Sequence, residues 1–262
     1  MGGAGNQFFQ IARAKSLKTQ GYNVELLFLG KAHNFFYKLI GFTIHHQWIN
    51  EESIASDLGV SVQTARFYDL LLIGVCFFTK KLGLNIFFNR PIFDVQKGSS
   101  KKIRFPIDVG YFQSERHIYK KSVEEVALAI SNHLDIKPRK VDNELTLHVR
   151  AGDVAQSNKL SKELIEDICR YCSTNNFFGV LVSNDHDYAL KKFSLLDNKF
   201  TLSSASAKED FIFMCSSRHL FLSNSTFAFW AGMCAKNSNA SKIFGPENWE
   251  FSHFLDVENF FH

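Results

Sequence analysis

In the second half of the chain, two kinds of hydrophobic pattern alternate, one typical of strands and one typical of helices. Short apolar runs, typical of buried strands, alternate with stretches of helical periodicity. We predict strands over 144–149, 178–183, 200–203, 220–223 and 242–244, and helices over 161–172, 186–193, 207–216 and 226–235. Repeated strand–helix alternation predicts a parallel sheet that is covered by helices on both faces.

The first half is less regular. Its pattern predicts helices over 6–20, 51–58, 62–84 and 122–134, and strands over 22–29 and 108–114. Residues 135–143 combine proline, charged and polar side chains, which is typical of a linker. We therefore expect two domains, over residues 1–136 and 143–262.

Residues 53–68 favour a second interpretation, because their pattern resembles a helix-turn-helix with Gly59 at the turn. A DNA-binding regulator needs a basic recognition helix. The second helix offers only Gln63, Thr64 and Arg66, and acidic residues flank the first. Two helices packed within a larger domain explain the pattern better, and DNA binding stays the less favoured alternative.

Composition and charge narrow the classes of function. Hydrophobic residues make up 45% of the chain and charged residues 21%, as in folded globular proteins. The net charge of +4 suits an anionic ligand or a membrane surface, and is too small to indicate nucleic acid. Five scattered cysteines without a secretion signal indicate a reducing cytosol. Cys169 and Cys172 are expected to pack within a helix, and the histidine spacing predicts no metal site.

Polar side chains follow three strands of the predicted sheet. They lie at 150–153 (RAGD), 183–185 (SND) and 223–226 (SNST). Because the carboxyl ends of parallel strands face the ligand crevice, Arg150 could hold a phosphate there, or form an ion pair with Asp153. The serines could be helix N-caps or part of an anion site. Three such ends together favour a phosphate-bearing ligand, and Asp210 could accept a hydrogen bond from its base or ribose.

Four segments resemble the bacterial α-1,2-fucosyltransferases of glycosyltransferase family 11. They are residues 2–7 (GGAGNQ), 110–115 (GYFQSE), 148–153 (HVRAGD) and 223–231 (SNSTFAFWA). The resemblance implies an α/β, GT-B-like fold in which two Rossmann-like domains face a cleft. The N-terminal domain would take the acceptor and the C-terminal domain GDP-fucose. The implied reaction is inverting and metal-independent, and moves L-fucose to a hydroxyl, with O2 of a galactose as the default.

The same resemblance assigns roles to individual residues. Arg150 would hold the pyrophosphate and stabilise the leaving group, and Asn6 would lie near the reacting phosphate. Asp153 would either act as general base or orient its loop. The remaining donor-binding residues would lie along the nucleotide sugar; they are His148, Asp210, Ser225, Thr226, Asn184 and Gly5.

The resemblance also implies partners and a location. The partners would be GDP-fucose and a galactose-containing glycan, including lipid-linked acceptors, with no cofactor and no nucleic acid. Such enzymes build O-antigen or other surface polysaccharide on the cytoplasmic side of the bacterial inner membrane, where peripheral membrane contact is expected.

Two departures from the family pattern bear on activity. Ala151 stands where the family has a second arginine. The family also has a strand before the glycine turn, so we expect that the first strand of the N-terminal domain is missing and that the true start lies upstream. A degenerate, inactive relative is therefore the second alternative.

Overall fold

The computed structural model describes residues 4–28, 48–64, 116–151, 160–196, 199–238, 240, 242–247, 249 and 251–258. The first half contributes α1 (Ala4–Thr19), β1 (Glu25–Phe28), α2 (Glu51–Asp57), β2 (Ser61–Thr64) and α3 (Lys120–His133). The second half contributes β3 (Glu144–Val149), α4 (Lys162–Thr174), β4 (Phe178–Ser183), α5 (His186–Lys192), a 3-10 turn (Ser194–Leu196), β5 (Phe200–Leu202), α6 (Ala207–Ser216), β6 (His219–Phe221), α7 (Thr226–Asn237) and β7 (Lys242–Phe244).

The second half forms a five-stranded parallel sheet with the order β5-β4-β3-β6-β7. In its centre, Leu147 of β3 pairs with Leu181 of β4 and with Phe221 of β6. The chain moves outward from β3 to β5, and then returns to the other side of β3 for β6 and β7. Such a reversal opens a crevice at the carboxyl ends of the central strands, as in Rossmann-like folds.

Alternating side chains of the sheet enter two different hydrophobic cores. Leu145, Leu147 and Val149 of β3 pack with the apolar face of α4. The opposite face of the sheet packs beneath a larger core that also holds apolar residues of α1, α2, α3, α6 and α7. Thr146 and His148 are the buried polar residues of β3, and they lie on this second face.

The strand and helix pattern predicted for the second half is confirmed. The segments 144–149, 178–183, 207–216 and 242–244 match their predicted bounds, and the other predicted elements of this half differ by one or two residues at one or both ends. An α/β fold with a parallel sheet is thus confirmed, whereas the two-domain GT-B arrangement stays a prediction. Among the described residues, no helix has the length and apolar character needed to cross a membrane.

The helix-turn-helix interpretation is wrong where the structure describes its second helix. Ser61–Thr64 is a strand, and it pairs in parallel with β1 so that Thr64 lies opposite Phe28. The β-branched residues Val62 and Thr64 favour this extended conformation. The helix predicted over 62–84 is therefore wrong over 62–64, and its remainder lies outside the described residues, as does the strand predicted over 108–114.

The segment predicted as a linker is held against α6. Arg139 donates its backbone N–H to Ser216 O at 2.8 Å, and its guanidinium lies 2.9 Å from a Glu144 oxygen and 4.2 Å from the Phe213 ring centre. These contacts fix the chain just before β3. Whether this segment separates two domains stays a prediction.

The two cysteines of α4 are confirmed as packing residues. Both thiols are buried, and burial raises the pKa of Cys169 to about 11 and that of Cys172 to about 12. They therefore stay protonated and unreactive at neutral pH.

Candidate functional site

The ends of β3 and β6 are joined through one serine. His148 Nδ1 lies 2.8 Å from Ser223 Oγ, and the backbone N–H of Arg150 donates to the same oxygen at 2.9 Å. Ser223 follows β6 and Arg150 follows β3, so this pair of bonds closes the base of the crevice at the point where the strand order reverses. The backbone of Arg150 is thereby fixed, while its side chain is partly exposed.

His148 is a neutral side chain in this structure. Burial, and next the positive charge of Arg150, lower its pKa to about 3. Ser223 Oγ accepts from the Arg150 N–H, and its own proton can be donated to His148 Nδ1. We assign the ring proton to Nε2 on this basis.

Asn184 holds Ala151, the residue after Arg150, through two hydrogen bonds. Its Oδ1 accepts from Ala151 N at 2.9 Å, and its Nδ2 donates to Ala151 O at 2.7 Å. The Ala151 side chain is fully buried. Asn184, at the end of β4, thus positions the chain directly after Arg150. Its predicted contact with a donor stays a prediction.

The first turn of α7 lacks a side-chain cap. Ser225 occupies the N-cap position, but its hydroxyl accepts no helix N–H. In contrast, Ser161, Asp185 and Ser206 cap α4, α5 and α6 through their side chains. The N–H groups at the start of α7 thus receive no hydrogen bond from the Ser225 side chain, and a helix start presents such groups with a partial positive charge.

The start of α1 packs directly on the start of α7. A Cβ atom on Gly5 would lie 2.7 Å from Thr226 Oγ1, 2.8 Å from Thr226 C and 2.9 Å from Phe227 N, so only glycine permits this approach. Trp230 Nε1 donates to Gly5 O at 2.8 Å and fixes the two helices together. Asn6 follows within the same first turn of α1. The structure thus brings Gly5, Asn6 and Thr226 to one place.

Asp210 lies farther along the same edge of the sheet. Its Oδ1 accepts from Ser203 Oγ, and Ser203 directly follows β5. Burial raises the pKa of Asp210, and the Ser203 hydrogen bond opposes this rise. Two strand spacings separate β5 from β3, which is about 10 Å. The neighbouring Glu209 instead completes a capping box with Ser206.

An aromatic group beside this edge was not found from the sequence. The Phe227 ring centre lies 5.8 Å from that of His148, 5.2 Å from that of Phe211 and 6.1 Å from that of Trp48. Trp48 also packs on Phe211 at 4.9 Å. Trp48 and Phe227 are both partly exposed. Trp48 precedes the short helix α2, so it belongs to no periodic pattern in the sequence. Its contacts with Phe211 and Phe227 depend on tertiary packing, which the sequence pattern does not report.

Glu51 is a second residue that sequence analysis missed. Its side chain is buried in the first turn of α2, and Oε1 has no hydrogen-bond partner among the residues described. Burial, and to a lesser extent the charge of Glu52, raise its pKa to about 7. The exposed Glu52 has the same side chain, so the sequence alone does not distinguish the two.

Other features lie away from this crevice or outside the structure's description. Asp153 lies outside the described residues, so its predicted role is untested. A shallow depression of about 300 Å³ lies between α3 and the C-terminal end of α7, lined by residues such as Glu124 and Lys236. Within the part of the chain that the structure describes, no cluster of three or more acidic, histidine or cysteine side chains could hold a metal ion.

Comparison with known proteins identifies the family. The family model for Glycosyl transferase family 11 matches residues 84–261, which is more than half of the chain. The matched range includes Arg150, Asp210 and Thr226, and excludes Gly5 and Asn6. The comparisons with curated proteins and with solved structures each gave no match. The chain therefore belongs to glycosyl transferase family 11, which includes the fucosyltransferases, and it is a glycosyltransferase.

Proposed function

We propose that the protein transfers L-fucose from GDP-fucose to a hydroxyl of a glycan acceptor, with O2 of a galactose as the default, and with inversion at the anomeric carbon. One observation carries this proposal: at the crevice where the strand order reverses, the first turn of α7 meets the first turn of α1, and the backbone of Arg150 is bonded to Ser223 just before α7. Two helix starts and an arginine form a site for a doubly charged diphosphate.

The charges at this place suit the leaving group of a sugar transfer. When the bond between the sugar carbon and the diphosphate breaks, negative charge grows on the diphosphate oxygens. Arg150 and the N–H groups of α7 and α1 are held in position before that charge appears, so they stabilise the transition state without reorganising. These groups act in this proposal without a metal ion. The neutral His148 beside Arg150 adds an Nε2–H that can donate to the nucleotide.

The position of Asp210 supports a nucleoside running from β3 toward β5. With the diphosphate at β3 and β6, the base reaches Asp210 about two strand spacings, or about 10 Å, away. The Asp210 carboxylate can accept hydrogen bonds from the amino and ring N–H groups of guanine. Uracil lacks an amino group, so this contact also favours GDP over UDP.

A degenerate, inactive relative is the competing proposal, because Ala151 replaces an arginine. Two observations on Ala151 argue against giving this substitution much importance. The Ala151 side chain is buried, and its backbone is held on both sides by Asn184. In this chain, residue 151 therefore contributes packing, and the proposed diphosphate site uses Arg150 alone from this motif.

The acceptor and the location follow from the family and are proposals as well. A lipid-linked, galactose-containing glycan on the cytoplasmic face of the inner membrane would place the reaction in surface polysaccharide synthesis. Asp153 remains a candidate for general base or for orienting its loop.

Binding of GDP is the first test. A ligand that binds only the folded state stabilises it by about 2.7 kcal/mol at a hundredfold excess over its dissociation constant. We expect GDP to raise the melting temperature, and UDP to raise it less. An equal shift with both nucleotides, or no shift with either, would contradict the donor assignment.

Arg150→Ala tests the leaving-group role. We expect transfer to fall by about 10²–10³-fold, as for the loss of one preorganised donor. Arg170→Ala is the matched control, because Arg170 lies on the exposed face of α4 and pairs with Asp167 of the same helix. Wild-type turnover in Arg150→Ala would refute the role of this arginine, and wild-type protein that binds GDP without transferring fucose to any acceptor would support the inactive relative.

A further inference from the structure

We propose that Trp48 and Phe227 form the platform on which the acceptor's sugar ring lies during transfer. This inference rests on the proposed function, and it names the acceptor side of the same site. It assigns to the acceptor a pyranose ring that presents its C–H face to the two aromatic rings and a hydroxyl to the Trp48 indole N–H.

The position of Phe227 follows from the proposed diphosphate site. Phe227 directly follows Thr226, and its backbone N–H belongs to the uncapped first turn of α7. The reacting sugar carbon is bonded to the diphosphate, and the attacking hydroxyl must approach that carbon to about 3–3.5 Å. The acceptor ring must therefore lie beside the first turn of α7. Trp48 and Phe227 are partly exposed aromatic side chains that meet there.

Trp48 has the properties of a ligand contact. Its ring packs on Phe211 and Phe227 along one side and is partly exposed, and its indole N–H donates to no residue that the structure describes. A tryptophan at a binding site offers a large apolar face and one donor at its edge. A pyranose ring has the matching combination of a C–H face and hydroxyl groups at its rim.

The arrangement of helices α1 and α2 places Trp48 next to the start of α7. Lys15 Nζ, in the last part of α1, donates to Leu58 O at the end of α2 at 3.2 Å. At the other end, Trp48, just before α2, contacts Phe227, and the neighbouring Thr226 contacts Gly5 at the start of α1. Helices α1 and α2 therefore run in the same direction, and the segment before α2 lies where α1 and α7 begin.

The platform has a defined part in the reaction. The acceptor oxygen forms a bond to the sugar carbon, the bond from that carbon to the diphosphate breaks with its electron pair leaving on GDP, and the hydroxyl proton passes to a base. Trp48 and Phe227 take no proton. They hold the acceptor ring so that its hydroxyl faces the carbon, and they are positioning residues for the chemical step.

The intrinsic fluorescence of Trp48 gives a direct test. The chain has three tryptophans, and Trp230 and Trp249 are buried, so acrylamide quenches mainly Trp48. With GDP present, we expect lactose as the acceptor probe to protect the fluorescence from acrylamide, and GDP alone to give little protection. Full protection by GDP alone would overturn the proposal, because Trp48 would then stack on the nucleotide base.

Kinetics of two Trp48 variants give the second readout. We expect Trp48→Ala to raise the KM for the acceptor about tenfold to a hundredfold, as for the loss of one buried aromatic contact, with the GDP melting shift unchanged. Trp48→Phe keeps a ring and loses the N–H, so its KM should lie in between. Phe178→Ala is the control, since this exposed aromatic residue begins β4 at the amino-terminal ends of the strands, opposite the crevice.

The outcomes separate this inference from the proposed function. An unchanged acceptor KM in Trp48→Ala, with GDP binding and fucose transfer intact, would overturn the platform alone. Loss of the GDP shift in the wild-type protein would instead overturn the donor site on which the platform depends. If Trp48→Ala does not fold, the Trp48→Phe variant and the quenching measurement on wild-type protein decide the question.

Discussion

Glu51 makes the stability of this protein depend on pH in a direction unusual for a carboxylate. Its side chain is buried without a partner for Oε1 among the described residues, and burial raises its pKa from 4.5 to about 7. The folded state therefore holds the proton more tightly than the unfolded state does. The free energy of unfolding contributed by Glu51 is greatest below pH 4.5, and it is lost as pH rises from 4.5 to about 7.

The shift sets the size of the effect. The difference between about 7 and 4.5 is about 2.5 pKa units, and at 1.36 kcal/mol per unit this corresponds to about 3 kcal/mol above pH 7. At pH 5 the same two pKa values leave a penalty of about 1 kcal/mol. Glu51→Gln has nearly the same shape and no charge. We expect this variant to be more stable than wild type by about 3 kcal/mol at pH 8 and by about 1 kcal/mol at pH 5.

Urea denaturation of both proteins at pH 5 and pH 8 measures this difference. Glu52→Gln is the matched control, because Glu52 is the exposed neighbour in the same helical turn. Its charge raises the pKa of Glu51 less than burial does, so this variant should gain much less stability at pH 8 than Glu51→Gln. The reasoning fails if Glu51→Gln has the same advantage at both pH values, or if it is less stable than wild type at pH 8.

Two further predictions concern the crevice. Gly5→Ala places a Cβ within 2.9 Å of two backbone atoms of α7, so we expect a loss of about 1–3 kcal/mol in urea denaturation and weaker GDP binding. Gly21→Ala, at a left-handed position after α1, should lose stability without losing GDP affinity, and equal GDP binding by both variants would contradict the crowding argument. His148 has a pKa of about 3 in the folded state, so its contribution to stability is complete above pH 6.5 and falls by about 3 kcal/mol at pH 4. His148→Gln should reduce this acid loss, and an unchanged dependence on pH would show that His148 is not its source.

The second half of the fold could be predicted because its local signals and its packing agree. Strand β3 is apolar on one face and polar at Thr146 and His148, yet it was recognisable as a buried strand. The structure gives the reason: Thr146 Oγ1 lies 2.7 Å from Ser217 Oγ, and His148 reaches Ser223, so both polar side chains are satisfied inside the core. The hydrophobic pattern therefore identifies such a strand, although it does not identify the hydrogen-bond partners of the polar side chains.

The site could be predicted only in part, since its components come together through packing between distant segments. Arg150 was found because it directly follows a strand of the regular sheet, and Thr226 because it begins the helix after another such strand. The uncapped state of Ser225 was not predictable, because serine before a helix usually caps it. Trp48 and Glu51 depend on how α2 lies against α1 and α7, and no local pattern encodes that arrangement. The helix wrongly predicted from Val62 shows the same limit, since pairing with β1 decided its conformation.

The contact between α1 and α7 also sets the order in which the molecule can be completed. Phe9 stacks on Phe229 and Phe251, and packs on Phe254, so the first helix buries its apolar face against residues made about 220–245 positions later (229 − 9 and 254 − 9). At about 5–20 residues per second, the ribosome needs roughly 12–50 s to supply these partners. Throughout that interval α1 can pack only on α2 and α3, through contacts such as that of Lys15 Nζ with Leu58 O and that of Ser16 Oγ with Tyr119 N. The contacts of Phe9 with Phe229, Phe251 and Phe254 therefore form only after synthesis of the C-terminal segment, and the start of α7 gains Gly5 as its neighbour only then.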